Sequence, residues 1–343
     1  MKIIHTADIH LDSPLSQVGD SAVRRHELLR AVADMAQYAD NNGVAAIIIA
    51  GDLFDGEYVS AQTLQSVADI VNASKAQWFV LKGNHGSAEP YLKLKKLAPR
   101  INFFGKDWTY FNFDGVTICG RELGGNDREQ YASLSLPSNC FNIVVLHGDV
   151  EDDCYGLIDL KSLAQSGVNY AALGHRHAFA GYKVGNMQAC YSGVLESRGF
   201  DEPSKSGFVL IDTADKQIKF VEQYIRRIER IKVDVTNVSS DIALENKIAD
   251  AVNEVSKRNY LDVVFVGELQ SGLHLEIAAN NVLQNRFFAL RTTNQTVIPY
   301  NIPELTAEVS LRGEFVKLAL QLEDEALRTD VLKYGLKVLG GDV

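Results

Sequence analysis

Five short motifs, each closing an apolar run, gather residue types that bind divalent metal ions. They are Asp8-Ile9-His10, Gly51-Asp52-Leu53-Phe54-Asp55, Gly83-Asn84-His85, His147-Gly148 and Gly174-His175-Arg176-His177, and they hold five of the chain's eight histidines. Mg²⁺ and Ca²⁺ prefer all-oxygen shells, and thiolates mark zinc or iron–sulfur sites. Imidazoles, carboxylates and one amide, with no cysteine among them, suit Mn²⁺, Fe²⁺ or Zn²⁺. Two such ions side by side are the common machinery for in-line attack on a phosphoester.

Each motif has an expected role. Asp8 and His10 are two apart at a strand end, and in extended backbone such residues share a face, so both are expected to meet one ion. Asp52 ends a run that is apolar throughout, where an unpaired carboxylate carries a heavy desolvation cost. A carboxylate shared by two cations escapes that cost, so Asp52 is the expected bridging ligand. Taken alone it reads equally as a helix cap or turn residue. Asn84 offers a neutral amide oxygen. His85 is placed to protonate a leaving oxygen without necessarily binding metal. Nearby cations depress its pKa, so it needs a carboxylate partner, and Asp55 is the candidate. His147 and the pair His175 and His177 follow two more strands. Any one of them could be a core histidine, but three at successive strand ends beside glycines are expected to be ligands.

The elements that must position these residues alternate. Strands are expected at 2–7, 44–50, 78–81, 117–119, 142–146, 170–173, 189–191 and 207–211, and helices at 21–41 and 60–72. Val44–Ala50 is apolar throughout and should be buried on both faces. The alternation predicts a layered α/β fold with ligands outside the strands' carboxyl ends. From about residue 230 the texture changes. Ile231, Val233 and Val235 alternate as a strand, Ser240 caps a helix carrying Ile248, Val252 and Val255, and Val263–Val266 and Phe287–Leu290 read as strands. Pro303 is expected to open a linker. Phe315, Leu318, Ala319 and Leu322, then Leu327, Val331, Tyr334 and Val338, make two amphipathic stripes. The expected domains are 1–228, a small α/β capping domain at 229–302 and a helical segment at 303–343.

Composition bounds the rest. The chain has 343 residues, too many for one typical core, and a formal net charge of −10, awkward for a phosphate-binding surface. Positive charge is uneven: Lys82 to Lys106 holds six Lys or Arg against one Glu, and Arg226 to Lys232 is a second basic run. No apolar run is long enough to span a membrane. The strand-like Lys2-Ile3-Ile4 at the start suggests that no secretion signal is to be expected. Cys119, Cys140, Cys154 and Cys190 are scattered and are expected to be free thiols in a reducing cytoplasm. His5, His26 and His274 read as structural, and Trp78 and Trp108 as core. Leu64, Val67, Val71, Tyr91, Leu92, Leu94 and Leu97 offer more apolar surface than one sheet face needs, which suggests a self-complementary homodimer face.

The ordered motif set, over roughly residues 1–225, resembles the calcineurin-like metallophosphoesterase superfamily. Ala7-Asp8-Ile9-His10-Leu11-Asp12-Ser13-Pro14-Leu15, the Gly51–Asp55 block and Tyr191-Ser192-Gly193-Val194-Leu195-Glu196 narrow the similarity to the SbcD nuclease family, and within it to YhaO-like proteins. The resemblance implies a layered sandwich with two divalent ions, Mn²⁺ foremost, with Mg²⁺, Fe²⁺ or Zn²⁺ as alternatives. One ion is then held by Asp8, His10, Asp52 and His177, and the other by Asp52, Asn84, His147 and His175, with His85 as the catalytic acid. It also implies DNA as substrate, dimerisation through helices near residues 60–97, and docking of the C-terminal segment on an SMC-like coiled-coil ATPase of the SbcC type. The loop of Tyr191, Ser192, Glu196 and Arg198 is a candidate for substrate contact. One departure stands out: where the family has an acidic residue after the Asn-His pair, this chain has Gly86-Ser87, expected to loosen the loop bearing His85. The alternatives to a DNA nuclease are a phosphodiesterase for a nucleotide or other small molecule, which the acidic charge favours, and a mainly architectural clamp protein with weak nuclease activity.

Overall fold

A computed structural model describes residues 1–15, 20–123, 131–151, 156–297 and 301–340, and the expectation for Cys154 lies outside them. The described residues divide into two compact units. The first comprises residues 1–230, 255–262 and 285–291, and the second 231–254, 263–284 and 292 onward.

The first unit is built on two six-stranded sheets. One contains β1 (Lys2–Thr6), β2 (Val44–Ala50), β3 (Gln77–Leu81), β4 (Asn102–Phe103), β11 (Gly207–Asp212) and β12 (Gln217–Glu222), in the order β12-β11-β1-β2-β3-β4. The other contains β5 (Thr109–Phe113), β6 (Val116–Gly120), β7 (Phe141–His147), β8 (Tyr170–Gly174), β9 (Ala180–Val184) and β10 (Met187–Tyr191), in the order β5-β6-β7-β8-β10-β9. β1 to β4 run parallel, as do β6, β7, β8 and β10. The outer strands β5, β9 and β12 pair antiparallel with β6, β10 and β11.

The period of two along β2 assigns its side chains to two cores. Ala46 and Ile48 join Ile3, Phe79, Ile143, Val145 and Ala172 between the sheets. Ile47 and Ile49 join Ile4, Trp78 and Val80 under the helices α1 (Ser21–Asn41), α2 (Ala61–Ala73) and α3 (Glu89–Leu97). A third cluster, with Val144, Leu146, Leu173 and Tyr191, lies beneath α4 (Leu160–Gln165). This is the layered α/β sandwich expected from the alternation. Strands β5, β9 and β12, half-exposed at sheet edges, escaped sequence reading because their apolar runs are short. The Asp20 side chain caps α1 by accepting from the amides of Ala22 and Val23.

The proposed dimer face is different. Leu64, Val67, Val71, Tyr91 and Leu94 are all at most 6% exposed and pack into the core against Trp78 and Val80. Only Leu92 and Leu97 of that set face outward. The excess of apolar side chains is consumed by seating two adjacent helices on one sheet face.

The second unit carries most of a three-stranded sheet in the order β13 (Ile228–Asp234), β14 (Tyr260–Val266), β15 (Ala289–Asn294), with α5 (Asp241–Ala251) and α6 (Leu275–Leu283) packed on each other. Ser240 caps α5 as expected, accepting from Ala243 N. The strand expected at 287–290 begins instead at Ala289. The linker expected from Pro303 is a helix, α7 (Ile302–Ala307), because the proline sits in its first turn, where no amide is needed, and Asn301 caps it. It is followed by α8 (Leu311–Ala319) and α9 (Glu325–Gly340). Leu305, Val316 and Leu336 form the small core of these three helices. Among the described residues no helix is long and apolar enough to cross a membrane.

Candidate metal centre

All five motifs lie at the carboxyl ends of β1, β2, β3, β7 and β8, where parallel strands release the chain. The backbone there is unusual. Asp8, His10 and Asp52 have φ of 52°, 50° and 51°, and His175 has 107°. Left-handed φ at a non-glycine residue costs on the order of 1–3 kcal/mol and collects at functional sites. Asp8 and His10 therefore do not share the face of an extended strand, as their spacing suggested. Left-handed turns bring them together, held by backbone bonds: Asp8 N donates to Gly51 O, and Ile9 N and His10 N both donate to Asp52 O, at 3.2, 2.9 and 3.0 Å. Gly51 (φ 104°) lies so close to the His147 ring that a Cβ there would overlap it.

The side chains converge in three groups of donors: Asp8, His10 and His177; Asp8, Asp52 and His147; and His10, Asp52 and His85. Within each group the donor atoms lie within 4.8 Å of one another. Asp8, His10, Asp52 and His147 are buried, whereas the His85 side chain is 48% exposed. His147 Nδ1 lies 2.9 Å from the Ala50 carbonyl, which can only accept, so Nδ1 carries a proton. That leaves Nε2 toward Asn84 Oδ1 at 2.6 Å and Asp52 Oδ2 at 3.2 Å. His175 stands edge-on to His147, with ring centroids 5.5 Å apart, and its amide donates to both Asp8 oxygens. His85 is edge-on to His10 at 4.8 Å, and its amide donates to Asp52 Oδ1 at 2.9 Å.

The protein's own groups leave this cluster electrically strained. Burial pushes the Asp8 carboxyl up, Asp52 adds to it, and His147 and His177 pull against it. Burial acts on Asp52 the same way, but the His147 hydrogen bond and the imidazoles of His147 and His10 hold it at about 2. Burial alone would lower the His147 pKa, and the Asp52 and Asp8 carboxylates raise it above the ordinary value. Burial and the neighbouring His147 depress His175. His147 Nε2 and Asp52 Oδ2, 3.2 Å apart, thus attract each other across the place where a cation would bind both.

An outer ring of groups orients the imidazoles. Glu202 Oε2 accepts from His177 Nδ1 at 3.0 Å. Asp55 Oδ1 is 2.7 Å from His10 Nδ1 and 3.9 Å from His85 Nδ1. The turn after Asp52 returns Asp55 N to Leu11 O, which sets its carboxylate against His10, with the expected partner His85 farther off at 3.9 Å. Arg176, between His175 and His177, forks onto Asp149 with two bonds of 2.7 Å. Glu202 and Asp149 escaped sequence reading because neither sits in a spaced motif. Three of the four residues expected to contact substrate lie inside the fold. Tyr191, Ser192 and Glu196 are at most 2% exposed, with the Tyr191 hydroxyl donating to Gly148 O and Glu196 paired to buried Arg24 at 2.6 Å. At Gly86 φ is 72° and a Cβ would overlap the Gly56 carbonyl, so the two loops are closely apposed there.

Residues 1–179, over half of the chain, match the calcineurin-like phosphoesterase family. The chain belongs to that family. It is a metal-dependent phosphoesterase, and its family binds divalent ions. The uncharacterized metallophosphoesterase YhaO of Bacillus subtilis is 26% identical over 75% of this chain and 69% of its own length. The DNA double-strand break repair protein Mre11 of Methanosarcina acetivorans is 24% identical over 98% of this chain but only 55% of its own length. The SbcD component of the SbcCD nuclease of Staphylococcus epidermidis is 24% identical over 72% of this chain and 76% of its own length.

The phosphoesterase's donor set fits divalent ions. With Nδ1 against Asp55, the buried His10 Nε2 has no hydrogen-bond partner and faces Asp52 Oδ2 at 4.0 Å. A buried imidazole is rarely left so unless something else takes its lone pair.

Proposed function

We propose that this phosphoesterase is a two-metal DNA phosphodiesterase of the SbcD nuclease type, working with an SMC-like coiled-coil ATPase. The observation that carries the chemistry is the convergence of the buried Asp8 and Asp52 carboxylates with the His10, His147 and His177 imidazoles beneath an exposed His85. Asp8, His10, Asp52 and His177 would hold one ion, and Asp52, Asn84, His147 and His175 the other, with Mn²⁺ as the preferred metal. Bound ions supply an activated water and neutralise charge on the phosphoryl oxygens. His85, exposed and braced edge-on by His10, is placed to give a proton to the departing oxygen. Its nitrogen also lies within 4.8 Å of donor atoms of His10 and Asp52, so a ligand role is the alternative its substitution must separate.

DNA as substrate is supported by the names of the Mre11 and SbcCD relatives, at low identity. A partner subunit is supported by the subunit naming of the SbcCD relative, an ATPase by the family resemblance, and a docking surface by the exposed Leu318, Leu327, Tyr334 and Val338 along α8 and α9. The working domain division is a nuclease domain at 1–228, a capping domain at 229–302 and a docking segment at 303–343. A homodimer rests on the family resemblance alone, and a cytoplasmic setting on the free thiols of Cys119, Cys140 and Cys190. The net charge of −10 favours the second reading, a phosphodiesterase for a small molecule. A Mn²⁺-dependent assay on linear and circular DNA beside bis-p-nitrophenyl phosphate separates the two. Hydrolysis of DNA is the expected result, and turnover of the small diester with DNA untouched would leave only the second reading.

A further inference from the structure

Arg198 lies in the loop after β10 and is 17% exposed. Its Nε and Nη2 both donate to Glu202 Oε1, at 2.9 and 2.8 Å. That leaves Glu202 Oε2 for His177 Nδ1 at 3.0 Å. Its third nitrogen, Nη1, donates to Asp55 Oδ1 at 3.3 Å and reaches Ser13 Oγ at 3.4 Å. Asp55 Oδ1 is in turn 2.7 Å from His10 Nδ1. One guanidinium therefore ties together the two carboxylates that stand behind His10 and His177, and these two imidazoles share a donor group with Asp8. On the other side of the cluster, His147 is oriented by the Ala50 carbonyl and stands apart from this chain of contacts.

We infer that Arg198 is a positioning residue for one metal site and not for the other. The inference rests on the two-site reading above. Neutralised by Arg198 and fixed in direction, Glu202 and Asp55 hold the Nδ1 faces of His177 and His10, so that each Nε2 points into the Asp8 group. A planar fork of donors fixes the direction of both carboxylates at once, whereas an ammonium, a compact charge with rotatable donors, fixes neither. Without it the two carboxylates repel, swing away and release both rings. The site using Asp52, Asn84, His147 and His175 keeps its own supports. This role differs from the substrate contact expected for Arg198, because its nitrogens are already committed to protein acceptors.

The test is Mn²⁺ binding by calorimetry and electron paramagnetic resonance on the full chain, in two backgrounds that each retain one site. His147→Asn leaves the Asp8–His10–His177 site, and His177→Asn leaves the other. Arg198→Met should weaken Mn²⁺ binding about 10–100-fold in the first background, the usual scale for losing an outer-shell partner, and should change it less than about threefold in the second. Arg198→Lys, which keeps the charge but loses the fork, should show the same selectivity to a smaller degree, so the result does not depend on the Met variant folding. Equal losses in both backgrounds, the mark of a merely structural role, overturn the inference. So does unchanged affinity in both. If the two background variants do not each retain about one ion where the unsubstituted chain binds two, the two-site reading itself fails and the inference with it.

Discussion

At the scale of single residues, Asp52 and His85 divide the work of the site. Asp52 is buried, touches His147 at 3.2 Å and receives the His85 amide, so it joins the ligand groups. Asp52→Asn should lose at least one ion and essentially all hydrolysis. Its effect is also visible without turnover. A ligand present at a hundred times its Kd stabilises the folded state by about 2.7 kcal/mol per site, so Mn²⁺ should raise the melting temperature of the unsubstituted chain and a chelator should reverse it. In Asp52→Asn that shift should shrink or vanish, as differential scanning calorimetry would show. His85, half in solvent, is expected to act on substrate. His85→Asn should keep Mn²⁺ stoichiometry and lose about 10²–10⁴-fold in rate. Loss of an ion in that variant would make His85 a ligand.

At the scale of elements, two packing arrangements control the site from a distance. The first is the apposition of the 83–87 loop to the loop after Asp55. Gly86 adopts φ 72°, and a Cβ there would overlap the Gly56 carbonyl, which belongs to backbone and cannot swivel away. Gly86→Ala should therefore displace His85. A misplacement of roughly 1 Å can cost about 10²-fold in rate, so turnover of a small phosphodiester should fall by about 10–100-fold while Mn²⁺ binding stays intact. The second is buried Arg24 on α1, which donates to Glu196, to the Ser197 carbonyl and to Glu27, while Glu27 also accepts from Arg226. This network ties α1 to the start of the loop that bears Arg198 and Glu202. Removing one partner leaves buried charge unpaired, so Arg24→Met should destabilise the fold by about 3–5 kcal/mol in urea unfolding. Leu94 is fully buried, so a charge placed there would unfold the unit and would not report on assembly.

At the scale of the whole molecule, the question is what α7, α8 and α9 contribute. Their shared core is small, built on Leu305, Val316 and Leu336, and much of their apolar surface stays exposed. A chain ending at residue 300 should fold its first unit, bind Mn²⁺ and cleave bis-p-nitrophenyl phosphate at the rate of the full chain. It should fail to co-purify with a coiled-coil ATPase that the full chain retains. Co-purification that survives the truncation would place the docking surface elsewhere. Light scattering on the unsubstituted chain decides the homodimer, since the helices once expected to form its face are occupied internally.

The sequence by itself determined the candidate donor set and the layered architecture, because both are written in local pattern. The all-apolar Val44–Ala50 run leads to a strand buried on both faces, and Asp52 follows at its end as its position required. What only the tertiary structure decided depends on approaches between residues far apart in the chain. The convergence of Asp8 and His10 comes from left-handed turns pinned to the Asp52 carbonyl, which no spacing rule anticipates. Asp55 stands nearer to His10 than to His85, at 2.7 against 3.9 Å, because its amide is drawn to Leu11 O. Tyr191, Ser192 and Glu196 read as a substrate loop, yet they are buried because Gly148 and Arg24 come from elsewhere in the fold to meet them. Glu202 belongs to no motif and matters only because folding places it 3.0 Å from His177. Local sequence carries periodicity and residue type, whereas the partners of a buried charge are chosen by packing.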